Sequence, residues 1–283
     1  MTEHHGWLAL DIDGTLTDQT HIVPKKVVDY LKELHAKGWE VFIITGRTLS
    51  FASLALKLFD FPFYLAVQNG ADVLYTPNRE LVIRHYLSPN IIPTLEALCS
   101  KCAEDFLVYA GWEKGDFCYY RPHLFSQKIQ AHVNMMKQLS LEPWQAVESF
   151  SFADHLRFPL IKCLGTKKEM TLVYDSLKND KHLSITLIRD PLAEGVYLNL
   201  ITHPEATKGN ALKNVIKQTG KAGKVIAAGD DLNDISMLKR ADVKIVMHSA
   251  PLEMHDLADI IAKPSYQYGI IEALQKVLSE LHP

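Results

Sequence analysis

Residues 8–18 read LALDIDGTLTD: an apolar run, then Asp11, Asp13 and Asp18 within eight positions, with Gly14 and Thr15 among them. An uninterrupted apolar stretch bounded by turn-formers is the pattern of a strand buried on both faces. Carboxylates crowded at its end repel one another, and each is driven towards protonation unless a cation or a set of donors compensates. The stretch therefore predicts a buried strand that delivers acidic groups to a site holding positive charge.

Outward from this stretch, Pro24 opens a helix whose Val27, Val28, Leu31 and Leu34 line one face, and Gly38 stands at its C-terminal stop. EVFIIT (40–45) predicts a second buried strand, a helix follows over 49–58, and FYLAV (63–67) predicts a third strand. DVLYTPNRELVIR (72–84) reads as a hairpin turning at Pro77-Asn78. Strands alternating with helices predict an α/β, Rossmann-like core with a parallel sheet and helices on both faces. From 84 to 190 the texture changes: helices over 91–103, 126–139 and 167–177 are interspersed with strands at FLVYA, FCYYR, LIKCLG and SITLI, the pattern of a small α+β domain. After RDPLAEG the parallel pattern resumes with VYLNLI (196–201), a helix over 208–219, KVIAAG (224–229), a helix near 233–239, VKIVM (243–247) and a closing helix over 268–281. The expected organisation is a core of residues 1–83 and 191–283 into which residues 84–190 are inserted.

The composition narrows the function. The chain has 283 residues and a formal charge of -3, from 30 basic and 33 acidic side chains, so no basic surface of the size nucleic acid requires is expected. No segment approaches a membrane span and the start MTEHHG is polar, which predicts a cytoplasmic protein acting on small molecules, as a monomer or homodimer. The C-x-x-C at Cys99 and Cys102 falls on the apolar face of a helix, and no second pair completes a tetrahedral zinc site.

In open parallel sheets, ligands gather beyond the carboxyl ends of the strands. Asp11 and Asp13 end the first strand, Thr45-Gly46-Arg47 the second and Asn69-Gly70 the third, while GDDLND (229–234) ends a late one; ATKGNAL (206–212) puts Lys208 at the start of a helix. A lone D-x-D is often a turn or a cap, but this combination is far more specific. Asn69-Gly70 also has a turn reading, and Arg47 could equally pair with a nearby carboxylate.

D-x-D-G-T-L-T, then T-G-R, then a lysine before a helix, then G-D-x-x-N-D resemble the four motifs of the haloacid dehalogenase superfamily. With the long insertion between the second and third motifs, the chain resembles Cof-type phosphatases carrying a C2 cap of the B subtype. The resemblance implies a phosphatase for small phosphate monoesters such as phosphosugars. Asp11 would be the nucleophile and Asp13 the general acid and base. Mg²⁺ would bind the Asp11 carboxylate, the Asp13 backbone carbonyl and Asp230. Thr45 and Lys208 would stabilise the phosphoryl group, with Gly46, Arg47 and Asn69 near the substrate, and Asn233 and Asp234 would hold Lys208 or a metal-bound water. Asp231 would add negative field only.

The inserted segment, 84–190, would select the leaving group. Within it WEKGDFCYYRPH offers Tyr119, Tyr120, Arg121 and His123, which could contact a sugar or a heterocycle or be alternating faces of a strand. The alternatives are a phosphomutase and a phosphate-responsive regulator; an intact Asp13 argues against the latter, since a long-lived acyl phosphate has no need of a general acid.

Overall fold

The computed structural model describes residues 4–17, 22–139, 144–190 and 193–281; Asp18 lies outside the described residues. The chain opens with β1 (Gly6–Leu10), buried at every position. In α1 (Lys25–Ala36), Pro24 precedes the first turn with its φ already fixed, and Val27, Val28, Leu31 and Leu34 turn inwards at three- and four-residue intervals. Gly38, at φ +97°, reverses the chain into β2 (Trp39–Ile44). Next come α2 (Leu49–Ala55), shorter than the expected 49–58, then β3 (Tyr64–Val67) and the hairpin of β4 (Asp72–Tyr75) and β5 (Glu80–Arg84).

The inserted region holds α3 (Ile92–Cys99), β6 (Phe106–Tyr109), β7 (Cys118–Tyr120), α4 (Gln127–Leu139), β8 (Gln145–Ala146), β9 (Ile161–Gly165), α5 (Lys167–Leu177), β10 (Ser184–Arg189) and β11 (Tyr197–Thr202). The chain then runs through α6 (Lys208–Thr219), β12 (Lys224–Gly229), α7 (Ile235–Leu238), β13 (Val243–Met247), α8 (Leu252–His255), β14 (Ile260–Ala262) and α9 (Gly269–Leu281). Among the described residues no helix is long and apolar enough to cross a membrane.

Two sheets result. One is ordered β14-β13-β12-β1-β2-β3-β4-β5, parallel from β14 to β3 and antiparallel at the hairpin. Because β1 lies between β2 and β12, the chain leaves its carboxyl end in one direction and returns from the other, creating a switch point there. Asp11 N–H donates to Ala228 O at 3.0 Å, extending the β1–β12 ladder to the site's edge. Beneath it Trp7, Phe42 and Tyr64 pack ring against ring, with Ala211, Leu212 and Val215 of α6 on the same cluster.

The other sheet is ordered β10-β11-β9-β6-β7-β8. Its β11 corrects the expected boundary at 191: VYLNLI does not resume the parallel sheet but pairs antiparallel with both β9 and β10. The chain divides into one compact unit of Met1–Gly46, Ala52–Arg84 and Thr207–Pro283 and a second of Arg47–Phe51 and His85–Ala206. The misreading has a physical cause. Leu198 and Leu200 join the apolar cluster of α4 while Ile201 joins that of α3 and α5, so β11 is apolar on both faces just as a parallel core strand is. Asn199 within it is satisfied by donating to Met170 O at 2.8 Å.

Ile201→Ala should therefore destabilise the second unit by roughly 2–4 kcal/mol, read as a lowered urea midpoint, since its side chain is fully buried against Ile161 and Phe106.

Candidate active site

After β1 the backbone folds into a tight turn. Ile12 O accepts from Leu16 N, Thr17 N and Thr17 Oγ1 at 2.9–3.1 Å, which aims the segment between them at the sheet's edge. Gly14 sits there at φ +69°, and a Cβ at that position would lie 2.0 Å from Asp230 Oδ2. The missing side chain is the room into which the Asp230 carboxylate reaches.

Lys208 is delivered by the N-terminus of α6, where the Thr207 hydroxyl accepts from Asn210 N at 3.1 Å as a cap. Its ammonium, 1% exposed, donates to Asp11 Oδ1 and to Asp234 Oδ1, both at 2.6 Å. Asp234 Oδ2 in turn accepts from the backbone N–H groups of Asp230 and Asp231 at 3.0 and 3.1 Å. One buried carboxylate thus fixes both the lysine and the loop that carries Asp230. Asp231 accepts from Leu232 N at 2.7 Å and starts the short 3-10 turn over Leu232–Asp234, so its role is to shape the loop.

Asp11, Asp230 and Asp234 present carboxylate oxygens all within 4.8 Å of one another. Burial pushes Asp11 up to about 8, with Asp234 and Asp13 adding to the rise and Lys208 opposing it. Burial and the neighbouring Asp11 and Asp234 raise Asp230 as well. Burial works against the charge on Lys208, yet the two carboxylates it touches hold it above its ordinary value. One ammonium is too little charge for this many buried carboxylates. The donor set, all oxygen, suits a hard divalent cation. Both Asp234 oxygens are occupied by Lys208 and the loop amides, which leaves Asp11 and Asp230 as the side chains able to hold the ion.

At the end of β2, Thr45 is fully buried; its N–H donates to Ala66 O and its carbonyl accepts from Asn69 N, both at 2.9 Å. Asn69 adopts φ +59° and its Oδ1 accepts from Asn233 Nδ2 at 3.2 Å. A Cβ on Gly46 would sit 3.3 Å from that same Oδ1, so Gly46, Asn69 and Asn233 converge. Of the two residues expected to hold Lys208 or a water, Asp234 holds the lysine and Asn233 braces Asn69. Arg47 belongs to the second unit, where its guanidinium lies 4.1 Å from the Phe51 ring centroid.

Two of the inserted-segment candidates are structural. Arg121 makes a bidentate pair with Asp105, both bonds 2.8 Å, and stacks 4.3 Å from Phe150. Tyr120 is buried, its hydroxyl accepting from Lys137 Nζ at 2.8 Å. Tyr119 packs edge-on against Phe117 and Phe152, whereas His123 lies in a short 3-10 turn. Sequence reasoning missed Ser236, whose Oγ accepts from Gly209 N at 3.0 Å and pins α6 to the Asp234 loop; no motif marks it.

A family model described as haloacid dehalogenase-like hydrolase matches residues 8–274. The chain is 24% identical over 269 residues to the 5-amino-6-(5-phospho-D-ribitylamino)uracil phosphatase YcsE of Bacillus subtilis, covering 95% of this chain and 94% of that protein. It is 24% identical over 271 residues to a phosphoglycolate phosphatase of Methanoculleus marisnigri, covering 95% of each. The solved structure of the HAD subclass IIB sugar phosphatase BT4131 superposes with a TM-score of 0.74 at 22% identity, over 96% of this chain and 98% of that one.

Lys208→Met leaves Asp11 and Asp234 buried without their cation, which should cost roughly 3–5 kcal/mol in metal-free buffer. An acid whose folded pKa is raised, as that of Asp11 is, stabilises least at high pH, so the deficit in urea midpoint should grow as pH rises and shrink as Asp11 protonates.

Proposed function

Because the chain belongs to the haloacid dehalogenase-like hydrolases, we propose that it is a Mg²⁺-dependent phosphatase that hydrolyses small phosphate monoesters through a phosphoaspartate on Asp11. The observation that carries this reading is the fully buried Lys208 ammonium, 2.6 Å from both Asp11 and Asp234, beside the Asp230 carboxylate. The names of the relatives support the substrate class: phosphoglycolate and a phosphoribitylaminouracil are both small phosphorylated metabolites.

An Asp11 oxygen attacks phosphorus while the ester P–O bond breaks, and the electron pair leaves on the alkoxide. Asp13 gives that alkoxide its proton. Water then attacks the phosphoaspartate at phosphorus, Asp13 takes its proton, and Asp11 is released together with inorganic phosphate. Lys208 neutralises charge on the nucleophile and the transferring group, and Thr45 donates to a phosphoryl oxygen, helped by backbone N–H groups near Ile12 and Gly46. When bound by Asp11, the Asp13 carbonyl and Asp230, Mg²⁺ supplies the positive charge that keeps Asp11 ionised and the phosphate oxygens neutralised. Selection among alcohols falls to the second unit, because the first unit's groups all address phosphate.

Phosphate release from a panel of monoesters with and without EDTA tests the reading, and metal-independent turnover would overturn it. Asp11→Asn should lower kcat at least about a thousandfold, about 4 kcal/mol of barrier, whereas residual activity within about tenfold would remove Asp11 from its role.

The pH dependence has a definite sign. A carboxyl raised from 3.8 to about 8 on folding costs the metal-free protein stability as pH climbs through that window. Ion binding requires the ionised form. Added MgCl₂ should therefore raise Tm more near pH 8 than near pH 6, measured by thermal shift.

A further inference from the structure

The first backbone N–H groups of a helix have no partner within it. At the start of α6 two of them are taken by hydroxyls of different origin. The Thr207 hydroxyl caps Asn210 N from within the same turn, whereas Gly209 N donates at 3.0 Å to Ser236 Oγ, which lies 27 positions away in the first turn of α7.

The two residues so joined flank the charged pair of the site. Gly209 follows Lys208 directly, and Ser236 comes two residues after Asp234, which accepts from the Lys208 ammonium at 2.6 Å. A ring closes: from the Lys208 side chain to the Asp234 side chain, along the backbone to Ser236, and through its hydroxyl to the peptide beside Lys208. The main chains meet at the same point. A Cβ on Gly209 would lie 2.2 Å from Ser236 O, so only a glycine lets the helix start come near enough for the hydroxyl to reach it. On another side the turn after β3 packs against the same residues, since a Cβ on Gly70 would lie 2.8 Å from Ala211 Cβ and 3.1 Å from Thr207 O.

The lysine needs such an anchor. Its four-carbon stem is flexible and does not fix its own head, yet the ammonium makes bonds of 2.6 Å to carboxylates on two different segments. Catalytic groups must be held to within about 0.5 Å of their working geometry. The precision has to come from the backbone at Lys208, and Ser236 is the side chain that ties that backbone to the Asp234 loop.

We propose that Ser236 is a positioning residue for phosphoryl transfer: by accepting from Gly209 N it sets where the Lys208 ammonium stands relative to Asp11. This rests on the phosphatase reading above and deepens it. As Asp11 attacks, the ammonium must follow charge that moves from the carboxylate to the phosphoryl oxygens. A displaced lysine still attracts a bound phosphate but meets the transition state badly, so the loss falls on kcat.

The test compares side chains at position 236 with Mg²⁺ and the best monoester of the panel. Ser236→Ala should lower kcat by about tenfold or more with KM within about threefold, the size expected of a small misplacement. Ser236→Cys keeps nearly the same volume but offers only a weak acceptor, so it should fall with Ala, whereas Ser236→Thr keeps the hydroxyl and should stay within about threefold of wild type. Arg240, whose Nη2 donates to Asn210 Oδ1 at 2.9 Å, is the control: it joins the same helix turn at an exposed position, and Arg240→Ala should leave kcat within about twofold. A fully active Ser236→Cys, or an equal loss in Arg240→Ala, would reduce Ser236 to packing and overturn its role.

A second arm needs no turnover. Urea midpoints of wild type, Ser236→Ala, Lys208→Met and the double variant, measured at pH 6 without metal, form a cycle. If the hydroxyl holds the lysine in place, Ser236→Ala should cost at most about half as much in the Lys208→Met background as in wild type. Additive losses overturn the proposal. A wild type that releases no phosphate from any monoester, together with a non-additive cycle, upholds the hold of Ser236 on Lys208 and overturns the phosphatase reading.

Discussion

A single buried ammonium holds together segments that lie far apart in the chain. Lys208 bridges the carboxylate that ends β1 and the one that anchors the loop after β12. Burial drives the Asp11 pKa up and Lys208 opposes the rise, while the two carboxylates it touches keep the ammonium charged. The switch point of the parallel sheet brings β1 and β12 side by side, the Thr207 cap starts α6 where its first side chain reaches Asp11, and Ser236 locks that helix turn to the loop. The fold and the proposed chemistry thus share one electrostatic knot, and the knot is still short of positive charge.

Much of this was legible in the residues because the signals were local. The β1 run is a continuous apolar stretch, and the α1 face follows a 3.6-residue period, both supplied by neighbours in sequence. The convergence of Asp11, Lys208, Asp230 and Asp234 was legible for a different reason: strand ends of a parallel sheet share one edge, so placing the strands places the groups. What the residues hid depended on partners. VYLNLI is equally apolar whether its neighbours run parallel or antiparallel, and only pairing with β9 and β10 assigns it to the second sheet. Arg121 read as a possible substrate contact, but Asp105, sixteen positions away, accepts from its Nε and Nη2 and Glu96 accepts from its Nη1. Asn233 lies in the motif beside Asp234, yet a one-residue step turns it to Asn69.

The two units divide their polar groups in different ways. In the first, a buried network shares one lysine between two acids, and Asp72 pairs with Arg84 apart from it. In the second, they occur as separate contacts, Arg121 with Asp105 and Glu96, and Asp190 with His132.

Gly14 and Asp230 have a bearing on how such a chain can diverge. The space a methyl group would need at position 14 is the space the Asp230 oxygen fills, at 2.0 Å. Drift at either site is then gated by the other: the turn after β1 cannot acquire bulk while the opposing loop keeps its acid, and a shorter residue opposite would forfeit a charge before any room was gained. Two stretches far apart in the sequence, the turn after the first strand and the loop after the twelfth, are thereby coupled through one close approach.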